Sequence, residues 1–162
     1  LFSSVPALVK DLLTQPNLYE FDISSLQRVS SGGAAMPSDL PGIIETKIDQ
    51  AYASGGYGLT ETLAVGSQAA GAVFDAKPAA AGVQSPITQV RCAAPDGTVL
   101  PTGEAGEIEM RGMACTLGYW NKPDANAAIF TEDGWMKTGD IGYVDDDGYL
   151  HITGILWPVK AV

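Results

Sequence analysis

Gly55-Gly56-Tyr57-Gly58-Leu59-Thr60-Glu61 packs a flat aromatic ring, a pliable backbone, a hydroxyl and a carboxylate into one short stretch. Its glycines permit positive φ and let a ligand come close to the main chain. Tyr57 offers a face on which a planar base can stack, and Thr60 can donate to a phosphoryl oxygen. Glu61 adds a hard oxygen ligand of the kind Mg²⁺ prefers. The same residues also suit a plain glycine-rich connection from strand to helix, with Thr60 capping the helix and Glu61 in its first turn. Taken by itself the stretch leaves both readings open.

Upstream, Val5, Leu8, Val9, Leu12 and Leu13 recur at helical spacing. Ser3 and Ser4 are good N-cap types and Pro6 fits a first turn, so a first helix is expected to end near Gln15-Pro16-Asn17. Leu26 to Ser31 reads as a short buried strand that runs into a small-residue loop, Gly32-Gly33-Ala34-Ala35-Met36-Pro37. Backbone of this kind can press against a flat ligand, and it equally suits a tight strand-to-helix link. A second helix carries Leu40, Ile43, Ile44 and Ile48, and the chain returns through Ala51-Tyr52-Ala53-Ser54. This order predicts an α/β layer with two loops at one sheet edge, where open α/β sheets bind ligands.

Downstream the character changes. Ala69 to Ala81 is rich in Ala and Gly without a clear period and is expected to be a partly irregular connection. From Ile87 the pattern alternates: Ile87 to Ala93, a turn at Pro95-Asp96-Gly97, then Gly106 to Arg111. A short helix is expected over Pro123 to Ile129, and Ile141 to Val144 with Tyr149 to Ile152 makes a hairpin closed at Asp145-Asp146-Asp147-Gly148. Those aspartates lack the alternate spacing and later glutamate of a calcium loop, so they read as a solvated turn. His151 has no nucleophile context and reads as structural. The division expected is 1–84, an α/β nucleotide-binding segment, and 85–162, a β-rich, barrel-like subdomain.

Composition narrows the function classes. With 46% apolar and 17% charged residues, the 162-residue chain is globular material. A net charge of −10 and nine Lys and Arg in all argue against a nucleic-acid surface. Cys92 and Cys115 show neither zinc spacing nor a disulfide framework, so a reducing cytoplasm is the expected compartment. No apolar run of about 18 residues is present, so no transmembrane segment is expected. The chain starts at Leu1 and its first methionine is Met36, which reads as a piece of something longer.

Asp133-Gly134-Trp135-Met136-Lys137-Thr138-Gly139-Asp140 holds the chief chemical signal of the second half. Asp140, expected just before a strand, could accept hydrogen bonds from both hydroxyls of a ribose, although aspartate settles readily in turns for local reasons. Four ordered blocks now stand together: Ser31 to Pro37, Gly56 to Glu61, Gly106 to Gly112, and Gly118 to Pro123 continuing at Gly134 to Asp140. Over nearly the whole chain they closely resemble the adenylate-forming superfamily of acyl-CoA synthetases, luciferases and peptide-synthetase adenylation domains. That resemblance implies a fragment of the large N-terminal domain of such an enzyme. It implies a two-step ligase in which a carboxylic acid, fatty or aromatic, attacks the α-phosphate of ATP and is then passed to coenzyme A. By the same resemblance Gly33, Ala34 and Ala35 lie along the adenine, and Tyr57, between Gly56 and Gly58, stacks on it. Thr60 contacts the α-phosphate, Glu61 holds Mg²⁺ and Asp140 clamps the ribose.

The chain also departs from the family. The phosphate-binding loop with its lysine is expected upstream. After Gly154 an arginine is expected and Ile155 stands there, so one ribose contact is lost. Lys160 lies at the hinge position and does not correspond to the adenylation lysine of a C-terminal domain. The expected partners of the complete protein are a small carboxylic acid, ATP and coenzyme A, with the isolated piece inactive. Two alternatives stay open: an amino-acid-activating adenylation domain, and a non-catalytic nucleotide-binding or interaction module.

Overall fold

A computed structural model describes residues 1–156, and the tail from 157 to 162, with the reading of Lys160, lies outside the described residues. The chain divides into two compact units, one of Leu1–Tyr57 with Gln68–Gly82 and one of Gly58–Ser67 with the residues from Val83 onward.

In the first unit, β1 (Phe2–Ser4), β2 (Arg28–Ser31), β3 (Tyr52–Tyr57) and β4 (Ser67–Ala70) lie side by side in that order. β1 and β2 are parallel, as are β2 and β3, with Ser31 opposite Gly55. Helix α1 (Pro6–Leu13) starts on Pro6, whose missing N–H costs nothing in a first turn. It buries Val9 and Leu13, one helical turn apart. Helix α2 (Leu40–Lys47) does the same with Leu40 and Ile44, and Ile48 just beyond its end continues the stripe. These side chains meet Val29, Ala53 and Phe74 in one core, and each fully buried Leu or Ile contributes about 1.5–3 kcal/mol.

One expectation changes here. Ser3 and Ser4 do not cap α1, whose N-cap is Val5; they form β1, where the Ser4 carbonyl accepts the N–H of Gly32. The stretch from Ala69 to Ala81 is partly irregular as expected, from Lys77 onward, while its first part contains the end of β4 and helix α3 (Ala72–Ala76), whose Phe74 is buried. One large apolar residue in an Ala/Gly background makes no visible period, yet it anchors the segment.

In the second unit, Val83–Gln84 (β5) bridges Tyr149 at Val83. Strands β6 (Thr88–Ala93), β7 (Gly106–Gly112), β8 (Met136–Val144) and β9 (Leu150–Ile155) form an antiparallel meander. Helix α4 (Pro123–Ile129) matches its expected span. Ile108, Met110, Met136 and Leu150 are buried, and so is Glu109 at 2% exposure. A buried carboxylate needs a partner, and Arg91 supplies it, its Nε donating to Glu109 Oε2 at 2.6 Å. The same guanidinium donates to both oxygens of Asp133 and lies 4.3 Å from the Trp135 ring centre, with Arg111 at 4.5 Å.

The hairpin turn closes as expected: Asp145 Oδ1 accepts the N–H groups of Asp147 and Tyr149. His151 stacks on Tyr143 and places Nε2 at 2.8 Å from Asp145 Oδ2. Asp140 differs from expectation. It does not precede a strand but lies within β8, because Gly139 at φ +76° belongs to a bulge and not to a turn. Glu107 pairs with Ile141 and Glu109 with Lys137, so Ile108 alone stands opposite Thr138, Gly139 and Asp140.

Candidate functional site

The parallel pair β2 and β3 brings two of the sequence blocks to one edge of the first unit's sheet. Beyond Ser31 the chain enters the exposed loop Gly33-Ala34-Ala35, with Gly33 at φ +76°, a conformation that favours glycine. On the next strand Gly56 is exposed and Tyr57 half-buried at the strand end. At Gly55 a side chain would crowd Met36 Cε at 3.3 Å and Phe74 Cε2 at 3.4 Å, so glycine keeps this edge thin. Among the described residues, the buried Ser31 hydroxyl has no hydrogen-bond partner.

The second unit holds the second part of the heptapeptide, from Gly58 onward. A Cβ on Gly58 would come within 2.4 Å of the Ala64 carbonyl carbon, which makes glycine obligatory there. Thr60–Thr62 is a single 3₁₀ turn, and Thr60 does not cap it. Leu59 is the N-cap, and the Thr62 hydroxyl accepts the Leu59 N–H at 2.9 Å while donating to the Leu59 carbonyl at 3.1 Å. Thr62 therefore does the local structural work and leaves Thr60 exposed. The turn is closed by Leu63 and Ala64, both in the left-handed region, a conformation that costs a non-glycine residue about 1–2 kcal/mol.

Glu61 is pinned at both ends. Its carbonyl accepts the Thr116 N–H at 2.7 Å, and its Oε1 accepts the Tyr119 hydroxyl at 2.6 Å. The hydrogen bond to Glu61 is the main cause holding the Tyr119 phenol above its ordinary pKa. Among the described residues, Glu61 Oε2 accepts no hydrogen bond. A cleft of about 430 Å³ opens beside it, lined by Thr60, Glu61, Leu63, Met113, Cys115 and Tyr119 among others. One free carboxylate oxygen next to an exposed hydroxyl suits a hard cation that takes its other ligands from a substrate.

Asp140 sits in the bulge of β8. Its N–H donates to Thr138 Oγ1 at 3.1 Å, and that hydroxyl donates to the Ile108 carbonyl at 2.8 Å. Bulges re-aim side chains and gather near functional sites. Across the other ladder Asp140 pairs with Ile155.

Sequence reasoning placed Thr60 and Glu61 together but missed Tyr119 and its support. Asn126 of α4 accepts the Tyr119 N–H at 2.7 Å and donates to its carbonyl at 3.0 Å. The available signal was the aromatic at position 119, inside a block already singled out.

Known proteins resemble this chain strongly. Residues 1–120 match the family described as AMP-binding enzyme. A 4-coumarate–CoA ligase 1 of Glycine max is 36% identical over 152 residues, covering 91% of this chain and 52% of the relative. A feruloyl-CoA synthase of Amycolatopsis sp is 38% identical over 149 residues, covering 91% of this chain and 30% of the relative. The chain thus spans about half or less of the curated relatives it matches. The crystal structure of the N-terminal domain of FACL13 from Mycobacterium tuberculosis, with inhibitor bound, superposes with a TM-score of 0.85 at 32% identity, over 95% of this chain and 38% of that one.

Proposed function

The chain belongs to the AMP-binding enzyme family, and from that premise we propose that it is part of an ATP-dependent acid–thiol ligase. In this reading the carboxylate of a small acid attacks the α-phosphate of ATP, pyrophosphate leaves, and the acyl group then passes from AMP to the thiol of coenzyme A. The observation that carries the reading is the Glu61 carboxylate, fixed by Tyr119 with Oε2 left over beside the exposed Thr60.

Each residue has a defined task. Gly33, Ala34 and Ala35 lie along the adenine, and Tyr57 stacks on it with Gly56 and Gly58 keeping the backbone close. Thr60 donates to the α-phosphoryl oxygen. Asp140 accepts from the ribose hydroxyls. Glu61 offers one oxygen to Mg²⁺, which when bound supplies positive charge to phosphoryl oxygens. Preorganised donors of this kind supply a large share of catalysis in such transfers.

For the acid we propose an arylpropenoic acid, since the relatives at 36–38% identity are named for 4-coumarate and ferulate. A fatty acid is the second class, carried by the wider resemblance of the sequence blocks to acyl-CoA synthetases. The test is pyrophosphate release by the full-length protein with ATP, Mg²⁺, coenzyme A and a panel of aromatic and fatty acids. Release is expected with at least one acid and is expected to fall strongly in Glu61→Gln. No release with any acid would overturn the ligase reading. Residues 1–162 alone are expected to show none, because they hold no glycine-rich phosphate loop with a lysine.

A further inference from the structure

We propose that Tyr119 is a positioning residue that fixes Glu61 as a one-oxygen ligand for a magnesium–nucleotide, and that Asn126 holds Tyr119 in place for this purpose. The inference rests on the reading of Glu61 as the metal-facing carboxylate.

The chain of contacts is short and complete. Asn126 Oδ1 and Nδ2 grip the N–H and carbonyl of Tyr119 at 2.7 and 3.0 Å, which fixes the backbone of an otherwise irregular loop. Gly118 makes the grip possible: its φ is +127°, and a Cβ there would meet the Asn126 carboxamide at 2.9 Å. The Tyr119 hydroxyl then donates to Glu61 Oε1 at 2.6 Å, within the short range of a charge-assisted O–H···O⁻ bond. The Thr116 N–H holds the Glu61 backbone from the same loop. Both rotation of the carboxylate and movement of its Cα are thereby limited.

A structural purpose alone explains this poorly. Tyr119 is 39% exposed, so water can take over much of this hydrogen bond and its net contribution to folding is modest. What the bond does achieve is to occupy one carboxylate oxygen and leave the other open to the cleft. Outer partners of this type orient metal ligands, and their removal typically costs 10–100-fold in metal affinity.

The test uses the full-length protein with Mn²⁺ and α,β-methylene-ATP, read by water-proton relaxation, alongside calorimetry of AMP without metal. Tyr119→Phe is expected to weaken the metal–nucleotide complex about tenfold and to leave metal-free AMP binding unchanged. Asn126→Ala is expected to act in the same direction. If Glu61→Gln weakens the complex but Tyr119→Phe does not, the positioning role is overturned while the Glu61 assignment stands. If the parent chain forms no metal–nucleotide complex, or Glu61→Gln binds as the parent does, the Glu61 assignment falls and this inference with it. Equal losses of AMP and metal–nucleotide affinity in Tyr119→Phe would mark a general structural role and also overturn it.

Discussion

Asp140 on β8 stands directly opposite Ile155 on β9 in the antiparallel register. The carboxylate proposed to clamp a ribose therefore has an apolar side chain, 67% exposed, as its cross-strand neighbour. Opposite charges paired across a ladder would add to stability, and an arginine here would restore the ribose contact that the family resemblance implies at this position. Ile155→Arg is accordingly expected to raise AMP affinity about tenfold, the effect of one hydrogen bond to a charged group. Calorimetric titration of AMP checks this, and an unchanged affinity would separate position 155 from the nucleoside.

In the proposed function Tyr57 and Asp140 act on the nucleoside, whereas Glu61 acts through a metal. Without metal, Tyr57→Ala and Asp140→Ala are expected to weaken AMP binding more than Glu61→Ala. Loss of a stacking face costs about 1–3 kcal/mol, so the Tyr57 change corresponds to roughly tenfold or more. Chemical-shift titrations of the three variants decide the order. A loss confined to Glu61→Ala would contradict the assignment of Tyr57.

Ile44 is fully buried in the core of the first unit, on the stripe that α2 turns toward the sheet. Ile44→Ala is expected to destabilise that unit by about 2–5 kcal/mol. Urea denaturation gives the value, and a loss well below this range would mean the site collapses around the smaller side chain.

Hydrogen bonds from Arg91 hold the Asp133 carboxyl at about 2, below its ordinary 3.8. A depressed carboxylate stabilises the fold above its unfolded pKa, and that contribution is lost as pH falls from 3.8 toward 2. Asp133→Asn is therefore expected to be less stable than the parent at neutral pH and to match it near pH 2. Denaturation midpoints of both proteins across this range test the sign.

What was legible in the sequence depended on range. Helix α4 could be read to the residue because Pro123 marks its start, and the Leu40 to Ile48 stripe because its period lies within one helix. The loop at Gly33 to Ala35, and the strand end and turn from Gly56 to Glu61, drew attention because small residues and chemistry-bearing ones are adjacent in the chain. The Tyr119–Glu61 bond joins residues 58 positions apart, and the Arg91–Asp133 pair spans 42, so neither leaves a local trace. Gly139 misled because a glycine in a bulge and a glycine in a turn look alike until the partner strand is known. The three residues of β1 have no period of their own and exist only through pairing with β2.

The most direct test of the acyl-adenylate route follows an oxygen atom. The full-length protein would be given ¹⁸O-carboxyl-labelled acid, ATP, Mg²⁺ and coenzyme A, and the nucleotide product analysed by mass spectrometry. Attack of the carboxylate on the α-phosphate, followed by transfer of the acyl group to the thiol, leaves one ¹⁸O in AMP, and that is the predicted result. Label in orthophosphate together with ADP would mean attack at the terminal phosphate and would contradict the account.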